Sequence, residues 1–159
     1  MRLLVVAVGN RPPDWARAAF GEYARRMPPQ YRLELVEVSP SRRAKHTVVS
    51  QILDEEIGRI RRVLPGDAHV VALDRKGRAP DSEGIALALG QWAQDGVDVA
   101  FVVGGPDGLP DSFLREARDV WSLSRLTFPH MLARVMLAEQ LYRAWSITAH
   151  QPYHRSDRE

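Results

Sequence analysis

Cysteine is absent from the 159 residues. Disulfides, thiolate metal sites, iron–sulfur clusters and a cysteine nucleophile are therefore all excluded. The absence also suits the cytoplasm, where the protein is expected to reside. Long hydrophobic runs are lacking too. The longest, LLVVAV at residues 3–8, is far short of the roughly 20 residues that span a bilayer. One arginine precedes it and no small-residue cleavage site follows, so neither a membrane partner nor a secretory leader is expected. The five histidines form no H-E-x-x-H motif, and no metal cofactor is expected. Lysine is scarce: 20 of the 22 basic residues are arginine, whose planar guanidinium fits phosphate oxygens bidentately.

The net charge of +2 hides an asymmetry. Residues 1–80 hold 15 basic and 9 acidic side chains, and residues 81–159 hold 7 and 11. The N-terminal half is thus the side expected to face a polyanion.

Strand and helix patterns alternate along the chain. Strands are expected at 3–8, 31–38, 69–73 and 98–103, with a brief strand or extended segment at 121–126. Helices are expected at 14–27, 47–64, from Asp81 or Ser82 to 94, at 111–119 and at 131–147, where apolar residues recur every three or four positions. A tail covers 148–159. The whole chain, 1–159, reads as one α/β domain, a mostly parallel sheet with helices on both faces. Ligands bind such sheets beyond the carboxyl ends of the strands. If the later strands are parallel neighbours, the loops at 73–78, 104–109 and 123–130 share one rim.

Four segments could carry chemistry. Gly104-Gly105-Pro106-Asp107-Gly108 follows a strand and allows close approach to bare main-chain amides. It is neither a Walker loop nor G-x-G-x-x-G, and a tight strand–helix turn explains it equally well. The segment Leu123, Ser124, Arg125, Leu126, Thr127, Phe128 could offer backbone groups to an adenine edge, with Leu123, Leu126 and Phe128 as an apolar slot, although taken alone a plain edge strand and turn is favoured. Tyr153-His154-Arg155 combines groups suited to proton transfer and anion contact, although tails are often inert. Arg42, Arg43, Lys45 and His46 form the densest basic loop, either solvated surface or a phosphate contact. The last helix is apolar almost all round, so it is either a central core helix or packs on its own domain with one side and on a second copy with the other; the second is favoured and gives a two-fold homodimer.

These segments, taken in order, resemble the bacterial ribosomal large-subunit pseudouridine-N3 methyltransferases, members of the SPOUT class of knotted, S-adenosylmethionine-dependent RNA methyltransferases. The resemblance runs through Val5-Val6-Ala7-Val8-Gly9, Ala72-Leu73-Asp74, Gly104 to Leu109, Trp121-Ser122-Leu123-Ser124, Leu126-Thr127-Phe128-Pro129-His130, Arg134-Val135, Leu141 to Ile147 and Pro152-Tyr153-His154-Arg155. Residues 156–159 extend past the usual family end, and residues 41–46 match loosely.

The resemblance implies a homodimer and a C-terminal trefoil knot that holds S-adenosylmethionine. Cofactor contacts would fall on Leu73, Gly104 and Leu123 through Phe128. It also implies a pseudouridine substrate in large-subunit rRNA on the assembled ribosome. Without a cysteine nucleophile, nitrogen or oxygen acceptors are favoured over pyrimidine C5. His154 would take or relay the N3 proton, with Tyr153 and Arg155 orienting the base and steadying the anion, and electrostatic help without a true base is equally compatible. Two other readings stand beside this one: ribose 2′-O-methylation of tRNA, and a non-catalytic ribosome-associated RNA-binding module.

Overall fold

A computed structural model describes residues 1–154. Five parallel strands form one sheet in the order β2-β1-β4-β3-β5. They are β1 (Arg2–Val8), β2 (Arg32–Val38), β3 (His69–Arg78), β4 (Val99–Val103) and β5 (Asp119–Trp121). The helices are α1 (Asp14–Arg26), α2 (Val49–Val63), α3 (Ser82–Asp95), α4 (Asp111–Glu116) and α5 (His130–Thr148). Among the described residues, no helix is long and apolar enough to cross a membrane.

The continuous apolar runs of β1 and β4 reflect burial on both faces. Leu3, Val5 and Ala7 join Phe20 of α1, Leu89 and Trp92 of α3, and Leu137 and Leu141 of α5 in one core. Leu4, Val6 and Val8 join Ile57 and Ile60 of α2 and Phe113 of α4 in the other. The side each helix takes follows from one crossover hand. The β1-to-β2 and β3-to-β4 crossings run one way along the sheet, with α1 and α3 on one face. The β2-to-β3 and β4-to-β5 crossings run the other way, with α2 and α4 on the opposite face. α5 then packs on the first face, against α1 and α3.

The carboxyl edge departs from the sequence reading in three places. β3 continues to Arg78, through a stretch expected to be loop. Leu73 and Arg78 both pair with Trp121, so residues 74–77 bulge out of the ladder. Gly77 makes this possible: a Cβ there would lie 2.6 Å from the Val120 carbonyl oxygen. β5 is short and begins at Asp119, a residue expected in the preceding helix, which ends at Glu116 because Ala117 is already extended. Beyond Trp121 the chain leaves the sheet instead of continuing as a strand to 126. Trp121 is buried against Trp92, with ring centroids 5.6 Å apart, and lies 5.9 Å from Phe101. These aromatic contacts hold the sheet edge beneath the departing loop.

Candidate active site

β4, β3 and β5 are parallel neighbours, so their carboxyl-end loops meet. They enclose a cleft of about 590 Å³ lined by Leu73, Asp74, Val103–Gly108, Ser122–Ser124, Leu126–His130 and Ala133, among others. That volume is typical of small-molecule sites. Leu73, Gly104, Leu123, Ser124, Leu126, Thr127 and Phe128 therefore converge as expected from the sequence. Arg125 is exposed and does not line the cleft.

Two features shape the walls. At the β4 end, Gly108 has φ +73 and its N–H donates to the Gly105 carbonyl at 2.9 Å. A Cβ on Gly104 would lie 2.6 Å from the Gly108 carbonyl carbon and oxygen. The glycines are thus required first by the turn's own backbone, and the tight turn sets the cleft wall. Opposite, Ser122 Oγ donates to the Ser124 carbonyl at 2.8 Å and Leu126 N–H to Ser124 Oγ at 3.0 Å. Arg75 reaches across to Thr127 Oγ1 at 3.2 Å, joining the two loops. Among the described residues, the main-chain N–H groups of Leu123, Thr127 and Phe128 have no partner within the chain. Leu126 is 69% exposed at the mouth. Bare amides beside an apolar slot suit the edge and face of an adenine.

The cleft also contains residues whose roles the sequence did not single out. Asp74 and Asp107 supply carboxylates suited to a cationic sulfonium or ammonium group. Asp107 is paired with Arg43, whereas Asp74 accepts only the Lys76 N–H, at 2.9 Å. His130 opens α5 at the cleft floor, and a Cβ on Gly9 would lie 3.1 Å from its Nε2. Burial, then the nearby Arg134 charge, lowers the His130 pKa below its usual value of 6.5. The folded state therefore resists protonation there while the unfolded chain accepts a proton, so stability is lost as pH falls below the unfolded value. Urea midpoints should drop as pH falls from 7 toward the folded pKa, and His130→Gln should flatten that slope.

Arg134 is 1% exposed inside the otherwise apolar stripe of α5. Its Nη1 donates to Glu37 at 3.1 Å and its Nη2 to the Gly9 carbonyl at 3.3 Å. It fastens the start of α5 to the carboxyl ends of β1 and β2. No metal-binding group of three or more His, Asp or Glu side chains occurs among the described residues.

The tail lies elsewhere. His150 takes φ 53, and Gln151 N–H bonds back to the Ser146 carbonyl at 2.8 Å. Tyr153 then donates to Glu139 at 3.0 Å and packs edge-on against Tyr142, with centroids 4.7 Å apart. Burial, followed by hydrogen bonding to Tyr23 and Glu139, raises the Tyr153 pKa well above the usual phenol value. Tyr153 is thus a neutral donor near pH 7, not a base. His154 is half-buried, and its Nδ1 has no partner among the described residues. Glu139 and Tyr142 lie nine and twelve residues past His130, roughly 13–18 Å along the helix. The chain's own Tyr153 and His154 do not line its own cleft. Arg155 lies outside the described residues.

A family model described as "Predicted SPOUT methyltransferase" matches residues 1–154. The chain belongs to the SPOUT methyltransferase family. It is accordingly an S-adenosylmethionine-dependent methyltransferase, and the cleft has the volume, bare amides and carboxylates that this donor needs. Similar SPOUT chains include a Ralstonia pickettii (strain 12J) protein named "Ribosomal RNA large subunit methyltransferase H", 46% identical over 155 residues that cover 98% of this chain and 99% of that one. A protein of the same name from Burkholderia mallei (strain SAVP1) is 49% identical over 156 residues, covering 98% and 100%. Among solved structures, a probable methylase family protein from Haemophilus influenzae Rd KW20 shares the fold at TM-score 0.54 and 15% identity, over 96% of this chain and 69% of that one. A structure titled "Structural insights into the 2-OH methylation of C/U34 on tRNA" shares it at TM-score 0.50 and 15% identity, over 91% of each chain.

Proposed function

We propose that this SPOUT methyltransferase transfers a methyl group from S-adenosylmethionine to N3 of a pseudouridine in 23S rRNA on the assembled ribosome. The observation that carries this reading is the meeting of three carboxyl-end loops in one cleft with free amides, in a chain nearly half identical to proteins named for large-subunit rRNA methylation. Its place would be the cytoplasm, with the ribosome.

When bound, S-adenosylmethionine supplies an electrophilic methyl on a sulfonium. Leu73, Gly104 and the segment Leu123 to Phe128 would hold it, with the Arg125 side chain of that segment exposed. Alignment of acceptor and methyl would be the main contribution of these residues. His154 would take or relay the imide proton, with Tyr153 and Arg155 orienting the base and steadying the anion. Because Gln151 and Tyr153 pack on their own α5 away from their own cleft, we propose a homodimer in which one protomer's tail serves the other's cleft. The exposed Met136 of α5 and Trp15 of α1 support such pairing. We also propose the family's trefoil knot. Its support is that the cleft loop runs directly into α5, whose His130 and Arg134 press against Gly9.

The test is to incubate the protein with S-adenosylmethionine and ribosomes, free rRNA or tRNA lacking the modification, then analyse nucleosides by mass spectrometry. N3-methylpseudouridine should form on ribosomes. Methylation of tRNA ribose, or no product, would overturn the reading. His154→Ala should lower kcat roughly 10²- to 10⁴-fold and flatten the pH–rate profile; an unchanged profile would remove His154 from the chemistry.

A further inference from the structure

The basic loop after β2 is not a loose surface strand. Ser41 is buried, its N–H donates to Glu56 Oε2 at 3.1 Å, and its hydroxyl donates to Glu55 at 2.6 Å. Arg59 holds the Ser39 carbonyl at 2.9 Å, and Thr47 Oγ1 accepts the Ala44 N–H at 2.8 Å. Arg43 pairs with Asp107, a cleft-lining residue of the glycine turn. The loop is therefore pinned at its base and tied to the cleft wall.

The remaining cations are free to act. Arg42 and Lys45 are exposed, and among the described residues neither side chain has an ion-pair or hydrogen-bond partner. Lys76, on the bulge of β3, is exposed and equally unpartnered at its ammonium. β1 and β4 separate β2 from β3, so the loop after β2 and the bulge of β3 lie on opposite sides of the glycine turn that follows β4. Unpaired cations on both sides of a cleft mouth, carried on an anchored loop and a strand bulge, match a polyanion that passes over it with one unit turned inward.

Resting on the rRNA reading above, we propose that residues 41–46 form a phosphate clamp for the RNA strand flanking the target nucleotide. Arg42 and Lys45 take backbone phosphates, with Lys76 on the far side, while Arg43 through Asp107 fixes the clamp to the turn that lines the cleft. Phosphate contacts of this kind position the strand and carry no base information.

The test uses the full chain carrying Arg42→Ala with Lys45→Ala. Ribosome binding should lose roughly 1.4 from its slope of log affinity against log salt, at about 0.7 per phosphate contact on single strands. The KM for ribosomes should rise on the order of tenfold or more at physiological salt, with kcat and S-adenosylhomocysteine affinity unchanged. Arg43→Ala should weaken both ribosome and S-adenosylhomocysteine binding. A double variant that matches the unaltered chain in slope and KM would overturn the clamp. So would a raised KM without a change in slope, or a parallel loss of S-adenosylhomocysteine affinity. If the unaltered chain leaves ribosomes unmethylated, the parent reading fails instead.

Discussion

Gly104→Ala is expected to lower affinity for S-adenosylhomocysteine by roughly 10- to 100-fold, the binding equivalent of the roughly 1–3 kcal/mol that an unrelieved backbone clash imposes. The new methyl would sit 2.6 Å from the carbonyl carbon and oxygen of Gly108. Those are backbone atoms, and no rotamer change relieves the contact. Gly108 already has φ +73, so the turn must open, and it is the turn that shapes the cleft. Overpacking of this kind also costs about 1–3 kcal/mol of stability. Gly90→Ala is the matched control. Nothing lies within 4 Å of a Cβ there, and within α3 the change should stabilise by roughly 0.5–1 kcal/mol without altering affinity. Calorimetric titration of both variants checks the pair of outcomes.

Arg134→Met is expected to cost about 2–4 kcal/mol of folding stability, a large part of the roughly 5–15 kcal/mol of a typical domain. The guanidinium is 1% exposed, whereas the Glu37 side chain is 31% exposed. Removing the arginine strips the Gly9 carbonyl of its donor and loosens the seam between α5 and the end of β1. Glu37→Gln, by contrast, should cost about 1–2 kcal/mol, because the amide oxygen can still accept from Arg134 Nη1 although the buried guanidinium loses its counter-charge. The inequality is the test, read as urea midpoints at constant m-value. Equal losses from both variants would contradict the role given to Arg134.

Most of the sheet was legible because its signals are local. The run from Leu3 to Val8 is buried on both faces and could be little other than a central strand. Asp81 before α3 and Gly96 after it mark that helix: the Asp81 side chain accepts the Gly84 N–H at 2.7 Å, and Gly96 takes φ 66. The parallel order of β4, β3 and β5 made the rim argument hold. Long-range packing hid the rest. Nothing near Leu73 announces that Gly77 can slide against Val120 and re-enter the ladder at Arg78. β5 ends at Trp121 because that ring is captured by Trp92 and Phe101, residues distant in the chain. Arg134 did leave a signal. It shares the helical stripe of Leu137, Ala138 and Leu141, where a cation must be paired to be buried. Its partners, Glu37 and the Gly9 carbonyl, could be named only from the fold.

The most direct measurement is a crystal structure with S-adenosylhomocysteine bound. The expected result places its sulfur between the Gly104 turn and the segment Leu123 to Phe128. The adenine should lie against Leu123, Leu126 and Phe128 and accept hydrogen bonds from the free amides of that segment. A ligand lodged away from these loops, or a protein that takes up none at saturating concentration, would contradict the assignment.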